Sequence, residues 1–253
     1  NLTLQREFHM TDDAGLYHPK ESKGMAPLVE GKTFHQFIFP FSEFRYWLEL
    51  DEARKSLLAK RKKSLRHLCE EHSLNNTIKD DALLLDYQSY RLVFRAVGRS
   101  TDEHTMIATI LPKNVFCPHS VSMEEVFNDE VCDGKLRLNQ TALTNPQRLY
   151  LCTAFNSFVI DYVLRTKVSA NLSFHFVEQL PIPRLTEKDA AFRPLVERAA
   201  RLVGTSGAYD ELLKEVFGKK ATHQTHGLTD PAARQTTRAE IDALVAHLYD
   251  LTE

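Results

Sequence analysis

The sequence predicts an α+β fold, and three observations support this class. Strand-like segments with alternating apolar residues and turn signals are concentrated before residue 185. A long pattern without Gly or Pro at 42–72 predicts a helix among them. After residue 186 only amphipathic helical patterns occur, at 188–203, 209–217 and 238–251. We therefore expect two domains, at residues 1–185 and 186–253, the second a C-terminal helical segment.

Length and composition restrict the function classes. The 253 residues are 43% hydrophobic, enough for a substantial core, and the formal net charge is −2. This charge argues against a generally basic nucleic-acid coat, so any such role depends on local patches. Four cysteines lie far apart without a Cys-x-x-Cys pair, which favours reduced thiols and a cytoplasmic location over a zinc site. No apolar run is long enough for a membrane helix, and no signal peptide opens the chain. Because it begins without Met, we expect a piece of a longer protein.

The central prediction is a hairpin of two strands, at 90–97 and 105–111, around a polar turn that begins at Gly98. Arg91, Arg95 and Arg99 recur every four residues, so on a strand they would share one face. We expect that face to be solvated, since a buried sheet face would not carry three arginines. It is either an ordinary hairpin surface or a guanidinium row aimed at phosphate or base edges.

The segments before this hairpin are predicted as two strands and a helix. Residues 2–10 alternate as a strand, and a Gly31-Lys32 turn leads into an aromatic-rich strand that ends near 41. Lys32 either points to water or binds phosphate, and the surrounding residues do not form a phosphate-binding loop. The helix at 42–72 carries the most basic run of the chain, at 54–66. That run fits a solvated helix face or a DNA-backbone contact.

The segments after the hairpin are predicted as a loop region up to about 145, a helix at 146–163 and a strand at 172–180. Apolar residues of the helix form one stripe, which predicts that its aromatic residues are mostly core. No Ser/His/Asp arrangement, glycine-rich cofactor loop or carboxylate cluster is present. Glu7, Asp12 and Asp13 could assist a metal, but they fit a polar turn better.

Several ordered segments resemble a known family. They are Arg6–Ala14 (REFHMTDDA), Val29–Phe37 (VEGKTFHQF), Tyr90–Arg95 (YRLVFR) with Arg99–Thr105 (RSTDEHT), Phe155–Tyr162 (FNSFVIDY) and Phe176–Pro183 (FVEQLPIP). The set is similar to the C-terminal target-recognition region of restriction–modification and phage-defence adenine methyltransferases. These resemble the TaqI-like specificity domain and, more distantly, the specificity subunits of type I restriction enzymes. The resemblance spans residues 6 to about 184.

This resemblance implies a curved sheet with flanking helices that recognises double-stranded DNA without catalysis. Such enzymes methylate adenine N6 with S-adenosylmethionine in a separate methyltransferase domain, which flips the base. Its Asn-Pro-Pro-Tyr motif is absent here, since Asn145-Pro146 is followed by Gln147-Arg148. We therefore expect no cofactor on this chain and S-adenosylmethionine on the methyltransferase domain of the same parent chain. The parent is expected to be a type II restriction–modification enzyme or a relative.

The resemblance also selects candidate DNA contacts. They are Lys32, Gln36, Arg95, Arg99, Ser100, Thr101, Lys167, Asn171 and Ser173. Lysine suits phosphate, whereas Gln36 or Asn171 could pair with adenine, and Arg95 could instead tie the hairpin to a carboxylate. His104, where relatives often have arginine, and Ser169-Ala170, where a glycine-containing loop is common, depart from the family. The alternative function is a protein-interaction or scaffold module with a helical docking tail and no DNA binding.

Overall fold

The α+β class is confirmed by the computed structural model, which describes residues 2–74, 78–168 and 171–251. Its strands are β1 (Leu4–Gln5), β2 (Met25–Pro27), β3 (Trp47–Glu49), β4 (Arg91–Arg95), β5 (Ala108–Leu111), β6 (Val121–Glu124), β7 (Phe127–Cys132) and β8 (Lys135–Thr141). Its α-helices are α1 (Leu50–Glu71), α2 (Asn145–Asn156), α3 (Phe158–Arg165), α4 (Phe174–Glu178), α5 (Phe192–Val203), α6 (Asp210–Phe217), α7 (His223–His226) and α8 (Pro231–Leu248).

The central sheet is antiparallel and has the strand order β1-β6-β4-β5. The predicted hairpin, β4-β5, forms one side of this sheet, and Val93 of β4 lies opposite Thr109 of the edge strand β5 and opposite Met123 of β6. Two small two-stranded sheets, β2-β3 and β7-β8, complete the strand pairing of the described residues. The β-branched residues of β4 and β5 suit this pleated, buried position.

The two faces of β4 contact different parts of the core. Leu92 and Phe94 belong to a large apolar cluster that also contains residues of α2, α5, α6 and α8. Val93 belongs to a second cluster with residues of the 29–39 segment, on the opposite face of the sheet. Alternate residues of a strand point to opposite faces, so the hairpin holds both clusters together.

The helical segment after residue 186 packs on the sheet layer. Leu195 and Leu202 are fully buried in the same cluster as Leu92, and Leu244 and Leu248 pack against its edge. The last helix begins at Pro231, earlier than predicted, because the Asp230 side chain accepts the Ala233 N–H at 2.8 Å. The domain boundary at 185 stays a prediction, and the apolar cluster extends to both sides of it.

Two predicted strands and one predicted loop are assigned wrongly. Residues 172–180 form the short helix α4 instead of a strand, because an alternation this short fits either structure. The segment at 33–41 is a 3₁₀ turn at Gly31–Thr33 followed by irregular chain. The region before residue 145, predicted as loop, contains the β7-β8 hairpin.

A strand and a helix are shorter than predicted, and another helix is divided in two. The strand at 2–10 is only β1, and the helix at 42–72 starts at Leu50 because Trp47–Glu49 pairs with β2. The helix at 146–163 breaks at Ser157, whose hydroxyl accepts the Ile160 N–H and starts α3. The break turns Phe158 and Tyr162 to the surface, so the predicted core role of these two aromatic residues is wrong.

Candidate nucleic-acid interface

Arg91, the first arginine of β4, is inside the protein. Its side chain is 0% exposed and donates to Glu7 at 3.2 Å and to the Val115 carbonyl. The same carboxylate accepts the Cys117 N–H at 2.8 Å. Burial raises the pKa of Glu7, and the Arg91 charge opposes that rise. The expected solvated arginine face is therefore wrong at Arg91, because a carboxylate distant in sequence compensates the buried charge.

Arg95 lies on the same face of β4 but is half-buried. Its guanidinium donates to the Phe34 carbonyl at 2.6 Å and lies 5.8 Å from the centre of the Phe34 ring. The aliphatic stem of Arg95 lies against Gly31. Burial lowers the pKa of Arg95, and Asp102 opposes this. Arg95 thus supports the turn that carries Lys32 by binding a backbone carbonyl, where the sequence had suggested a carboxylate.

The turn at 98–104, which we call the reading turn, carries Arg99, Ser100 and Thr101 with exposed side chains. Gly98 is required because a Cβ there would lie 2.2 Å from the Thr105 carbonyl oxygen. The Arg99 N–H donates to the Asp102 carboxylate at 2.9 Å, which closes the turn.

The reading turn is anchored by α3. Arg165 donates to the carbonyls of Ser100 at 3.2 Å and Asp102 at 2.7 Å. Asp161 pairs with Arg165 at 2.7 Å and accepts the N–H groups of Thr105 and Met106. Sequence reasoning missed both anchors, although their i, i+4 spacing is the signal of a helical ion pair. The turn therefore has a held backbone and presents the exposed side chains of Arg99, Ser100 and Thr101.

The segment after α3 lies beside the reading turn. Asn171 pairs with Val97 in an antiparallel bridge, and the Leu172 N–H donates to the Ala96 carbonyl at 2.9 Å. Lys167 and Asn171 are exposed, and Ser173 precedes α4. Ser169-Ala170 lies outside the described residues. The structure therefore places Asn171 beside the start of the reading turn, opposite Val97, whereas Lys167 lies two residues after the anchor Arg165.

Lys32 and Gln36 have different positions. The Lys32 side chain is 60% exposed, with Glu30 at 3.6 Å. Gln36 is only 1% exposed, and its amide donates to the carbonyls of Met106 and Asn156 and accepts from Arg238. The structure thus places Gln36 inside the molecule, at the junction with α8, rather than at the surface where a base contact was expected.

Charges around the reading turn are mixed. The turn contains one guanidinium, from Arg99, and two carboxylates, from Asp102 and Glu103, of which Glu103 is 90% exposed. Nearby, burial and the positive charges of Arg95 and Arg238 together lower the pKa of His35 to about 4. Such a turn suits hydrogen bonding to base edges better than attraction of phosphate.

The basic run of α1 is partly neutralised. Lys60 pairs with Asp13 at 2.9 Å, Arg61 donates to Asp129 at 3.0 Å, and Lys62 pairs with Asp80. This supports the interpretation as a helix face with ion pairs. Among the described residues, no group of acidic, histidine or cysteine side chains could hold a metal ion, and no helix could cross a membrane.

No protein-family model matches this chain, and no curated protein matches it. Among solved structures, its fold is similar to part of a restriction–modification enzyme. That structure is the type IIL enzyme MmeI in complex with DNA, with a TM-score of 0.52 and 12% sequence identity. The alignment covers 100% of this chain and 33% of the MmeI chain, so the chain spans about a third of that enzyme's length. At this identity the likeness concerns the fold.

Proposed function

We propose that this chain is a non-catalytic module that recognises double-stranded DNA by sequence and belongs to an adenine-specific (N6) methyltransferase or restriction–modification enzyme. The observation that carries the proposal is the likeness of its whole length to one third of a restriction–modification enzyme solved with DNA. The ordered family segments at residues 6–184 agree with that likeness. The TaqI-like specificity assignment is part of this proposal.

In the proposed complex, the reading turn contacts base edges. Arg99 is exposed on a backbone that Arg165 and Asp102 hold in place, and a bidentate arginine is the commonest contact to guanine. Ser100 and Thr101 lie beside it and can donate to or accept from either base. A rigid backbone lowers the entropy lost when these side chains bind.

Phosphate contacts are assigned to the two exposed lysines, Lys32 and Lys167. Lys32 belongs to the turn that Arg95 supports, and Lys167 precedes the segment that pairs with Val97 through Asn171. Because the net charge is −2, we expect weak sequence-independent affinity from this chain alone. Asn171 is exposed beside Arg99 and remains a candidate for adenine.

Methylation is assigned to another domain of the same parent chain. That domain would bind S-adenosylmethionine and flip the adenine, while the present module selects the site. The protein-interaction alternative is less favoured, because the helical stripes meant to dock a partner are packed inside. Leu195 and Leu202 are 0% exposed against the sheet cluster.

The test is to sequence methylated adenines in cells that express the intact protein. We expect one methylated motif, which changes or loses a position in Arg99→Ala and stays the same in the control Arg193→Ala. Arg193 is also an exposed arginine, but it lies on α5 and pairs with Glu197. Methylation without any motif, or no methylation together with no duplex binding, would contradict the proposal.

A further inference from the structure

Phe41 is an aromatic side chain left at the surface beside the reading turn. It is 55% exposed, and its ring lies 5.1 Å from that of His35. The His35 ring in turn lies 6.3 Å from that of His104, the last residue of the reading turn. A row of three rings therefore leads from the reading turn to Phe41.

The backbone at Phe41 is held in place. The Phe41 N–H donates to the Thr33 carbonyl at 2.8 Å, and the Ser42 hydroxyl donates to the Lys32 carbonyl at 3.0 Å. Phe41 and the phosphate-binding candidate Lys32 thus belong to one hydrogen-bonded unit. An aromatic side chain presented this way loses little entropy when it is covered.

The surroundings of Phe41 are apolar with a charged rim. Phe41 borders a shallow concavity of about 560 Å³, lined by Pro40, Phe41, Ser42, Glu43, Phe44 and Trp47. Lys32 and Arg45 are exposed near it, with the exposed carboxylate of Glu43 and the mostly buried carboxylate of Glu30, 3.6 Å from Lys32. This combination favours an occupant with flat aromatic faces and negative charge, which describes the bases and phosphates of DNA.

We propose that Phe41 stacks on a nucleobase at an unstacked step of the bound duplex, while Lys32 holds the neighbouring phosphate. The inference rests on the proposed DNA recognition. Apolar side chains that enter a duplex in this way separate adjacent bases and kink the helix. Because some base steps separate more easily than others, Phe41 then favours sites with an easily unstacked step. This selection adds to that made by the hydrogen bonds of the reading turn.

The experiment uses the intact protein and the duplex that it selects from a random pool. 2-Aminopurine is placed at each position of that duplex, because its fluorescence rises when it leaves the base stack. Wild-type protein should raise the fluorescence at the flipped target adenine and at one further step. Phe41→Ala should abolish this second rise and weaken binding about tenfold, whereas Phe41→Trp should retain the wild-type affinity. The control Leu84→Ala removes another exposed apolar side chain, beside α1, and should change neither.

The outcomes separate the two proposals. If wild-type protein selects no duplex, DNA recognition fails and the stacking role fails with it. Duplex binding without a fluorescence rise other than that of the flipped adenine, or the same second rise in Phe41→Ala, overturns the stacking role and leaves recognition standing. A Phe41→Ala protein that binds and unstacks DNA normally but loses self-association in sedimentation would show that the concavity is a protein contact.

Discussion

The start of β4, here the buried end, and the turn that follows β4, here the exposed end, use arginine in opposite ways. At the buried end, Arg91 is enclosed with Glu7 under the 115–117 segment, and its Nη1 and Nη2 groups donate to protein. At the exposed end, the Arg99 N–H donates to Asp102, and the Arg99 side chain is exposed. Equal spacing in the sequence thus does not give the same environment. The covering segments decide whether an arginine stabilises the fold or is available to a ligand.

The largest expected effect is at the buried end. Arg91→Met should destabilise the fold by about 3–5 kcal/mol, because it leaves the Glu7 carboxylate buried without its partner. Adding Glu7→Gln should recover part of that loss. Urea unfolding measures both, with Arg99→Ala as the control, which should shift stability by less than about 0.5 kcal/mol. Equal unfolding free energies for Arg91→Met and Arg99→Ala would remove the distinction between the two ends.

At the exposed end the effect should be on binding. Arg99→Ala should cost about 1–3 kcal/mol on the selected duplex and little on a scrambled one, because it removes a base contact. Titration of both duplexes with the intact protein gives the two affinities. An equal loss on both would reassign Arg99 to phosphate.

His35, whose ring lies near that of His104 at the exposed end, should make the stability of the fold depend on pH. Its pKa is lowered to about 4 in the folded protein, against about 6.5 unfolded, so the unfolded state binds more protons between these values. This contribution to stability is complete above pH 6.5 and is lost as the pH falls towards 4. Because the ring is half-buried and screened, we expect a loss of about 1 kcal/mol. Unfolding at pH 7 and pH 4.5 measures it, and His35→Asn should reduce the difference between the two. An NMR titration that placed the His35 pKa near 6.5 would contradict this.

The smallest effect should come from Lys32. Lys32→Gln should lower the salt slope of duplex binding by about 0.9, because one phosphate contact is lost, and it should weaken all sequences alike. The control Lys219→Gln changes an exposed lysine just after α6. A slope unchanged by Lys32→Gln would exclude this phosphate contact.

The sequence predicted the parts of the fold whose signals are local. The β4-β5 hairpin, α2 and the tail helices follow from alternation and from helical periodicity, whereas the Asp230 cap that starts α8 at Pro231 was missed. The burial of Arg91 could not be predicted, because it depends on Glu7, which lies 84 positions away. The same holds for Gln36, whose hydrogen-bond partners Asn156 and Arg238 lie 120 and 202 positions away.

The candidate site was predicted in part. Arg99, Ser100 and Thr101 are exposed on one turn, as the turn signals after Gly98 indicated. Their roles as DNA contacts stay a prediction. The helix break at Ser157 was missed because the residues of α3 continue the apolar pattern of α2. The Ser157 cap marks the break between the two helices. That break determines where Asp161 and Arg165 stand, and therefore how the reading turn is held.

The hydrogen bonds between α8 and the 36–37 segment join parts of the chain that a ribosome makes at different times. Arg234 donates to the Phe37 carbonyl across 197 positions, and Arg238 to Gln36 across 202. At roughly 5–20 residues per second, a ribosome needs about 10–40 s to make the intervening chain. The 36–37 segment, which lies between Lys32 and Phe41 in the sequence, is therefore synthesised well before Arg234 and Arg238, its hydrogen-bond partners on α8. This segment can make all of its hydrogen bonds only after the C-terminal helix α8 has been synthesised and has folded.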